Sequence, residues 1–250
     1  RREYLNLVAG GVGAGSLAAK AVARGARPVK VVAFDAFPVL DPRPVFALAE
    51  TLFPGRGAEL SNVWRTRQFE YQWLRALAGR YVDFSRATEE ALAFAAAALK
   101  LDLTAEKRER LMGSYLELKA WPDAERVLRS LKRAGLRLAF LSNATPEILE
   151  AGIRNSGLGG VFDQVLSTDR LRTFKPDPRA YQMAIDAFGV GRDEIAFVAF
   201  AGWDAAGAKW FGYRTYWANR LGSPPEELGV RPDAEARDLG GLIAFVGRRV

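Results

Sequence analysis

Four polar groups in this chain each close or follow an apolar run. Asp35 ends Val31-Val32-Ala33-Phe34, and Ser142-Asn143 ends Leu138-Ala139-Phe140-Leu141. Lys175 sits in Phe174-Lys175-Pro176-Asp177, and Asp204 in Gly202-Trp203-Asp204, which follows the run Ile195-Ala196-Phe197-Val198. Short apolar runs of this kind read as buried strands, and open α/β sheets bind ligands beyond the carboxyl ends of their strands. A carboxylate, a hydroxyl with an amide, an ammonium and a second carboxylate can therefore meet above one parallel sheet.

Composition narrows the chemistry available to such a group. The chain has 250 residues with no Cys and no His, which excludes a thiolate nucleophile, a Ser-His pair, an imidazole base and a Cys/His zinc site. A covalent mechanism must then rely on carboxylate, hydroxyl or amine. At 49% hydrophobic content, one core of ordinary size plus a smaller second domain is expected.

The elements that must position these residues begin after an unusual N-terminal stretch. Arg1-Arg2-Glu3-Tyr4-Leu5-Asn6 precedes an uncharged Gly/Ala-rich run from Leu5 to Ala19, then small residues at Ala21-Val22-Ala23. The run is too short to span a bilayer, and the order resembles a twin-arginine export leader over residues 1–29. Export to the periplasm is the expectation, with no stable membrane association once the leader is removed; if the segment is not a leader, a cytoplasmic location is expected instead. Two other readings of the segment are a disordered extension and a dinucleotide loop, since Gly13-Ala14-Gly15-Ser16-Leu17-Ala18 fits G-x-G-x-x-A. The first 29 residues hold five of the 36 Lys/Arg and one of the 29 Asp/Glu. Much of the net charge of +7 thus belongs to the leader and does not argue for nucleic acid.

Between the first two apolar runs the pattern turns helical. Residues 57–100 contain no Pro, and Val63, Phe69, Trp73, Leu74 and Leu77 recur at three- and four-residue spacing, predicting amphipathic helices with this stripe inward. Trp121-Pro122-Asp123 offers an N-cap for a helix over 123–134, then Gly135 and a strand over 137–141. The expected division is an α/β core from 30–45 and 121–250, with an all-helical cap over 46–120.

Residues 30–245 resemble the haloacid dehalogenase superfamily, and most closely its (S)-2-haloacid dehalogenases. Asp35, Ser142, Lys175 and Asp204 match the superfamily pattern in order. Longer stretches are similar as well: Trp64 to Arg75, Arg80 to Phe84, Lys175 to Tyr181 and Trp203 to Ala208. The resemblance implies a Rossmann-like parallel-sheet core with an inserted helical cap. It implies hydrolysis of short (S)-2-haloacids to 2-hydroxyacids through an ester on Asp35, with no cofactor and no metal. Phosphatases of the superfamily resemble D-x-D and carry paired carboxylates in the last motif to hold Mg²⁺; here position +2 is Phe37 and the last loop offers Asp204 alone. A halide needs no proton to leave, so one nucleophilic carboxylate suffices. A catalytically silent or ligand-binding member of the fold, and a different hydrolase such as a phosphatase, stay open as alternatives.

By the same resemblance, Arg65, Asn143 and Phe84 receive the halide, while Ser142 and backbone amides hold the substrate carboxylate. Lys175, steadied by Tyr181 and Asp204, stabilises charge around Asp35. Phe37, Phe69 and Trp203 line the pocket, with Tyr181 grouped among the substrate-contacting side chains. Family members are often dimers, and the sequence leaves the oligomeric state open. Two segments depart from the family pattern. Asp-x-Tyr-Gly-Thr-Leu becomes Asp35-Ala36-Phe37-Pro38-Val39-Leu40, and Ser-Ser-Asn becomes Ala199-Phe200-Ala201. The substitutions at Phe37, Val39, Ala199, Phe200 and Ala201 are expected to strip polar groups from the nucleophile's surroundings.

Overall fold

The computed structural model describes residues 27–247; the leader pattern and the Gly13–Ala18 motif lie outside them, apart from residues 27–29. Six strands form one parallel sheet: β1 (Val31–Phe34), β2 (Arg137–Ser142), β3 (Gln164–Ser167), β4 (Ile195–Ala199), β5 (Arg214–Ala218) and β6 (Ala234–Ala236). Their order is β3-β2-β1-β4-β5-β6, so β1 lies between β2 and β4, pairing Phe34 with Phe140 on one side and Val198 on the other. Consecutive side chains on a strand point to opposite faces. Val32, Phe34, Phe140 and Val198 accordingly enter one apolar cluster, and Val31, Ala33, Leu141 and Phe197 another. Layers packed on both faces explain why these strands read as unbroken apolar runs.

Four helices are inserted between β1 and β2: α1 (Arg43–Leu52), α2 (Gly57–Leu77), α3 (Phe84–Ala98) and α4 (Ala105–Gly113). The insert is pinched at its base, where Leu40 bridges Ala120 and the Trp121 N–H donates to the Val39 carbonyl at 2.9 Å. Helix α1 opens at Arg43, ahead of the expected boundary at 46, because Pro44 occupies its first turn, where a missing N–H costs nothing. Trp64, Phe84, Leu92 and Tyr115 from the insert join the same apolar cluster as Phe34 and Phe140.

The buried face of α2 differs from the expected stripe. Leu74 and Leu77 are 60% and 88% exposed, whereas the inward ridge is Leu60, Trp64, Gln68 and Gln72 at four-residue spacing. The glutamines are tolerated inside because they are bonded: Gln68 Nε2 donates to Thr88 Oγ1 at 2.6 Å and Gln72 Oε1 accepts from Asn143 Nδ2 at 3.3 Å.

Five further helices follow: α5 (Ala124–Arg133), α6 (Pro146–Asn155), α7 (Pro178–Phe188), α8 (Gly202–Phe211) and α9 (Leu242–Phe245). Asp123 precedes α5 as expected but makes no capping bond. Its carboxylate is taken instead by the Arg220 guanidinium and the Leu239 N–H, both at 2.8 Å, tying the start of α5 to the C-terminal segment.

Candidate active site

The fold gathers the polar groups at the carboxyl ends of three adjacent strands. Asp35 directly follows β1 and is fixed there by its own N–H, which donates to the Val198 carbonyl at 3.0 Å. Ser142 closes β2, and Asp204 stands in the first turn of α8 just beyond β4. Lys175, fully buried before α7, reaches between the two acids: its Nζ is 2.9 Å from Asp35 Oδ1 and 2.5 Å from Asp204 Oδ2. Ser142 Oγ donates to Asp35 Oδ1 at 3.0 Å. Among the described residues Asp35 Oδ2 has only the Phe37 N–H, at 3.4 Å, so the two oxygens of this carboxylate are unequal.

Burial and charge compete in this cluster. Burial alone would lower the Lys175 ammonium, but Asp204 and Asp35 outweigh it and hold its pKa above the ordinary lysine value. Burial pushes the Asp204 carboxyl up to about 6 despite the opposing charge of Lys175, and the negative Asp35 adds to the rise. Tyr181 OH donates to Asp204 Oδ1 at 2.7 Å.

A cavity of about 30 Å³ opens on Asp35, walled by Phe37, Phe69, Phe84 and Trp203 and by Ser142 and Asn143. Arg65 does not line it. Arg65 lines an adjoining cavity of about 40 Å³ that shares the Phe37, Phe69, Phe84 and Phe200 walls, and its guanidinium lies 5.3 Å over the Phe46 ring. Burial depresses its pKa, with Tyr115 opposing, yet a guanidinium stays charged at any ordinary pH. Asn143 is held on both ends: Oδ1 accepts from the Lys175 N–H at 2.8 Å and from Thr168 Oγ1 at 3.2 Å, while Nδ2 donates to Gln72.

Three expectations need correction. Tyr181 does not contact the cavity; it is fully buried behind Asp204 and holds that carboxylate in place. Val39 and Ala199 point into the apolar clusters and are fully buried away from the cavity wall. Of the five departures, Phe37, Phe200 and Ala201 are the ones that face the cavity. Gln72, also on the wall and completely buried, was missed. Its signal was its place two helical turns beyond Arg65 on the same face of α2.

A model of the haloacid dehalogenase-like hydrolase family matches residues 22–212, a span that contains Asp35, Arg65, Ser142, Lys175 and Asp204. The chain is 44% identical to an (S)-2-haloacid dehalogenase of Pseudomonas sp. (strain YL) over 216 residues, covering 86% of this chain and 93% of that enzyme. The chain belongs to the haloacid dehalogenase-like hydrolases. Among solved members, the L-2-haloacid dehalogenase RSc1362 superposes with a TM-score of 0.85 at 44% identity, covering 88% of this chain and all of the other. The L-2-haloacid dehalogenase of Xanthobacter autotrophicus, solved with chloropropionic acid covalently bound, is 35% identical with a TM-score of 0.78, covering 89% of this chain and 100% of that one. In this haloacid dehalogenase-like hydrolase, the side chain two positions after the Asp is the Phe37 ring, packed against Phe200 with centroids 5.8 Å apart. Asp204 is the sole other carboxylate on the described cavity wall.

Proposed function

We propose that this chain hydrolyses the carbon–halogen bond of short (S)-2-haloacids, giving 2-hydroxyacids with inversion at C2. The observation that carries the reading is the asymmetry of Asp35. Oδ1 is engaged by Lys175 and Ser142, whereas Oδ2 has one long contact among the described residues, and the residue borders a cavity walled by Phe37, Phe69, Phe84 and Trp203. Oδ2 therefore has its lone pairs free to attack C2, and removal from water makes it more reactive. As the new C–O bond forms, the C–X bond breaks and the halide departs with its electron pair. Arg65, a cation with no carboxylate partner among the described residues, lies one aromatic wall away to stabilise the departing charge.

In the ester, Oδ1 becomes the carbonyl oxygen. Attack of water on Asp35 Cγ places negative charge there, where Lys175 Nζ at 2.9 Å and Ser142 Oγ at 3.0 Å already donate. Asp204, with a pKa of about 6, is matched to accept the proton of that water near neutral pH. Collapse of the adduct breaks the Cγ–Oδ2 bond; the departing alkoxide takes the proton from Asp204 and leaves as the 2-hydroxyacid, and the Asp35 carboxyl, now holding the oxygen of the water, loses its remaining proton to solvent. The likeness to (S)-2-haloacid dehalogenases at 44% identity supports the substrate class. Halide release from (S)-2-chloropropionate is the test: the parent releases chloride and Asp35→Asn does not. Equal rates for the two would overturn the reading.

A further inference from the structure

Two buried N–H groups of residues lining the Asp35 cavity have no acceptor among the described residues: Gln72 Nε2 and Trp203 Nε1. Gln72 is completely buried, and its Oε1 already accepts from Asn143 Nδ2 at 3.3 Å, so the orientation of the amide is set by the network and leaves Nε2 as the unused end. Trp203 is wedged edge-on between Phe69 and Trp73, with ring centroids 5.2 Å and 5.4 Å away. A buried donor without a partner costs stability, and two such donors beside one cavity call for an acceptor that arrives from outside.

We propose that Gln72 and Trp203 form a neutral two-donor subsite for a monovalent anion beside Asp35. Its occupant is the carboxylate of the haloacid or the halide it releases. The subsite deepens the dehalogenase reading and rests on it for the identity of the ligand. The chemistry suits the place. The cavity has room for one or two water-sized groups. A second carboxylate, Asp204, borders the same space, so bound anions need donors there to offset its charge. Neutral donors gain affinity for an anion without the cost of burying another cation. Arg65, on the far side of the aromatic wall, then serves a different point on the ligand.

The indole N–H of Trp203 reports directly on this subsite by nuclear magnetic resonance, its signal assigned as the one lost in Trp203→Phe. Titration of the parent with potassium propionate and, separately, potassium bromide at constant ionic strength should shift that signal saturably. Propionate alone acting identifies the carboxylate, bromide alone the halide, and both a shared site. Gln72→Glu keeps the oxygen that accepts from Asn143 and replaces the donor by an acceptor, so it should weaken the effective anion by roughly tenfold or more. A Trp203 signal unmoved by either anion overturns the proposal, as does an unchanged affinity in Gln72→Glu. The parent titration stands even where a variant fails to fold. Anion binding needs no chemistry, so a chain that binds propionate here and releases no halide loses the enzymatic reading while keeping the subsite.

Discussion

Lys175 Nζ and Asp204 Oδ2 stand 2.5 Å apart with both residues buried, and the same ammonium donates to Asp35 Oδ1 at 2.9 Å. The protonation of Asp204 therefore governs how firmly Lys175 is held. With the Asp204 carboxyl pushed up to about 6 by burial, acid below that pH neutralises it. Halide release should fall on the acid side with an apparent pKa near 6, and Asp204→Asn should lose that limb together with most of the activity. A rate that stays level down to pH 5 would contradict this assignment. The linkage sign is also set: the folded value lies above the ordinary aspartate value, so Asp204 taken alone makes the fold less stable as pH rises from about 4 to 6.

Gly207 lies one turn beyond Asp204 on α8, where the helix passes over Tyr181. A Cβ at this position would come within 2.5 Å of Tyr181 Oη and 2.8 Å of Pro176 Cβ. Tyr181 cannot swing away, being fully buried and bonded to Asp204. Gly207→Ala should cost about 1–3 kcal/mol, as overpacking in a filled core does. It should also lower activity by displacing the Asp204 partner. Denaturant midpoints measure the first effect, and an unchanged midpoint would show that this contact yields.

Halide release should survive excess chelator. Among the described residues no three or more of His, Cys, Asp or Glu are grouped to hold a metal ion. Phe37 also occupies the position where a second acid would stand. Loss of activity with chelator and its return with Mg²⁺ would move the chain toward the phosphatases.

Much of this site was legible because a buried parallel strand leaves a plain trace. Val31 to Phe34, Leu138 to Leu141 and Ile195 to Val198 are apolar on both faces, so Asp35 and Ser142, which end the first two runs, and Asp204, which follows the third, mark the carboxyl edge of the sheet where ligands bind. The edge strand β6, Ala234–Ala236, left no such trace, being short and partly exposed. Gln72 was hidden by the rule that buries apolar residues first, since its burial depends on a partner, Asn143, that lies 71 positions away in the chain. The direction of Val39 and Ala199 was equally out of reach. Both flank site residues in sequence, yet both turn into the core.

We propose export for the chain on the strength of Arg1-Arg2 and the weakly apolar stretch that follows. Protein recovered from its host should begin near Arg24 and lie outside the cytoplasmic membrane, and replacing both arginines by lysine should retain it inside. Continued export of that variant would argue against the twin-arginine route.

The attack and hydrolysis steps should be unequally affected by the cavity's departures from the family pattern. Asp35, Asn143 and Phe84 remain on the wall for alkylation, whereas Phe37, Phe200 and Ala201 present no side-chain polar group to a hydrolytic water. The ester on Asp35 should therefore accumulate. Intact-mass measurement after mixing with (S)-2-chloropropionate should show an adduct on the Asp35 peptide, with one chloride released per protein before a slower steady rate. Ala201→Asn should raise the steady rate by roughly 10²-fold if the amide reaches the water, the scale expected for one restored transition-state hydrogen bond. Ala201 is also the N-cap of α8, in extended conformation with no side-chain cap, so Asn can act there as a cap and stabilise by about 1 kcal/mol without touching chemistry. Ala201→Ser separates the two effects, because it caps as well but reaches less far. A rise in midpoint for both variants with the rate gain confined to Ala201→Asn assigns the amide to the water. Equal rates in both, or no burst in the parent, would mean that hydrolysis does not limit turnover.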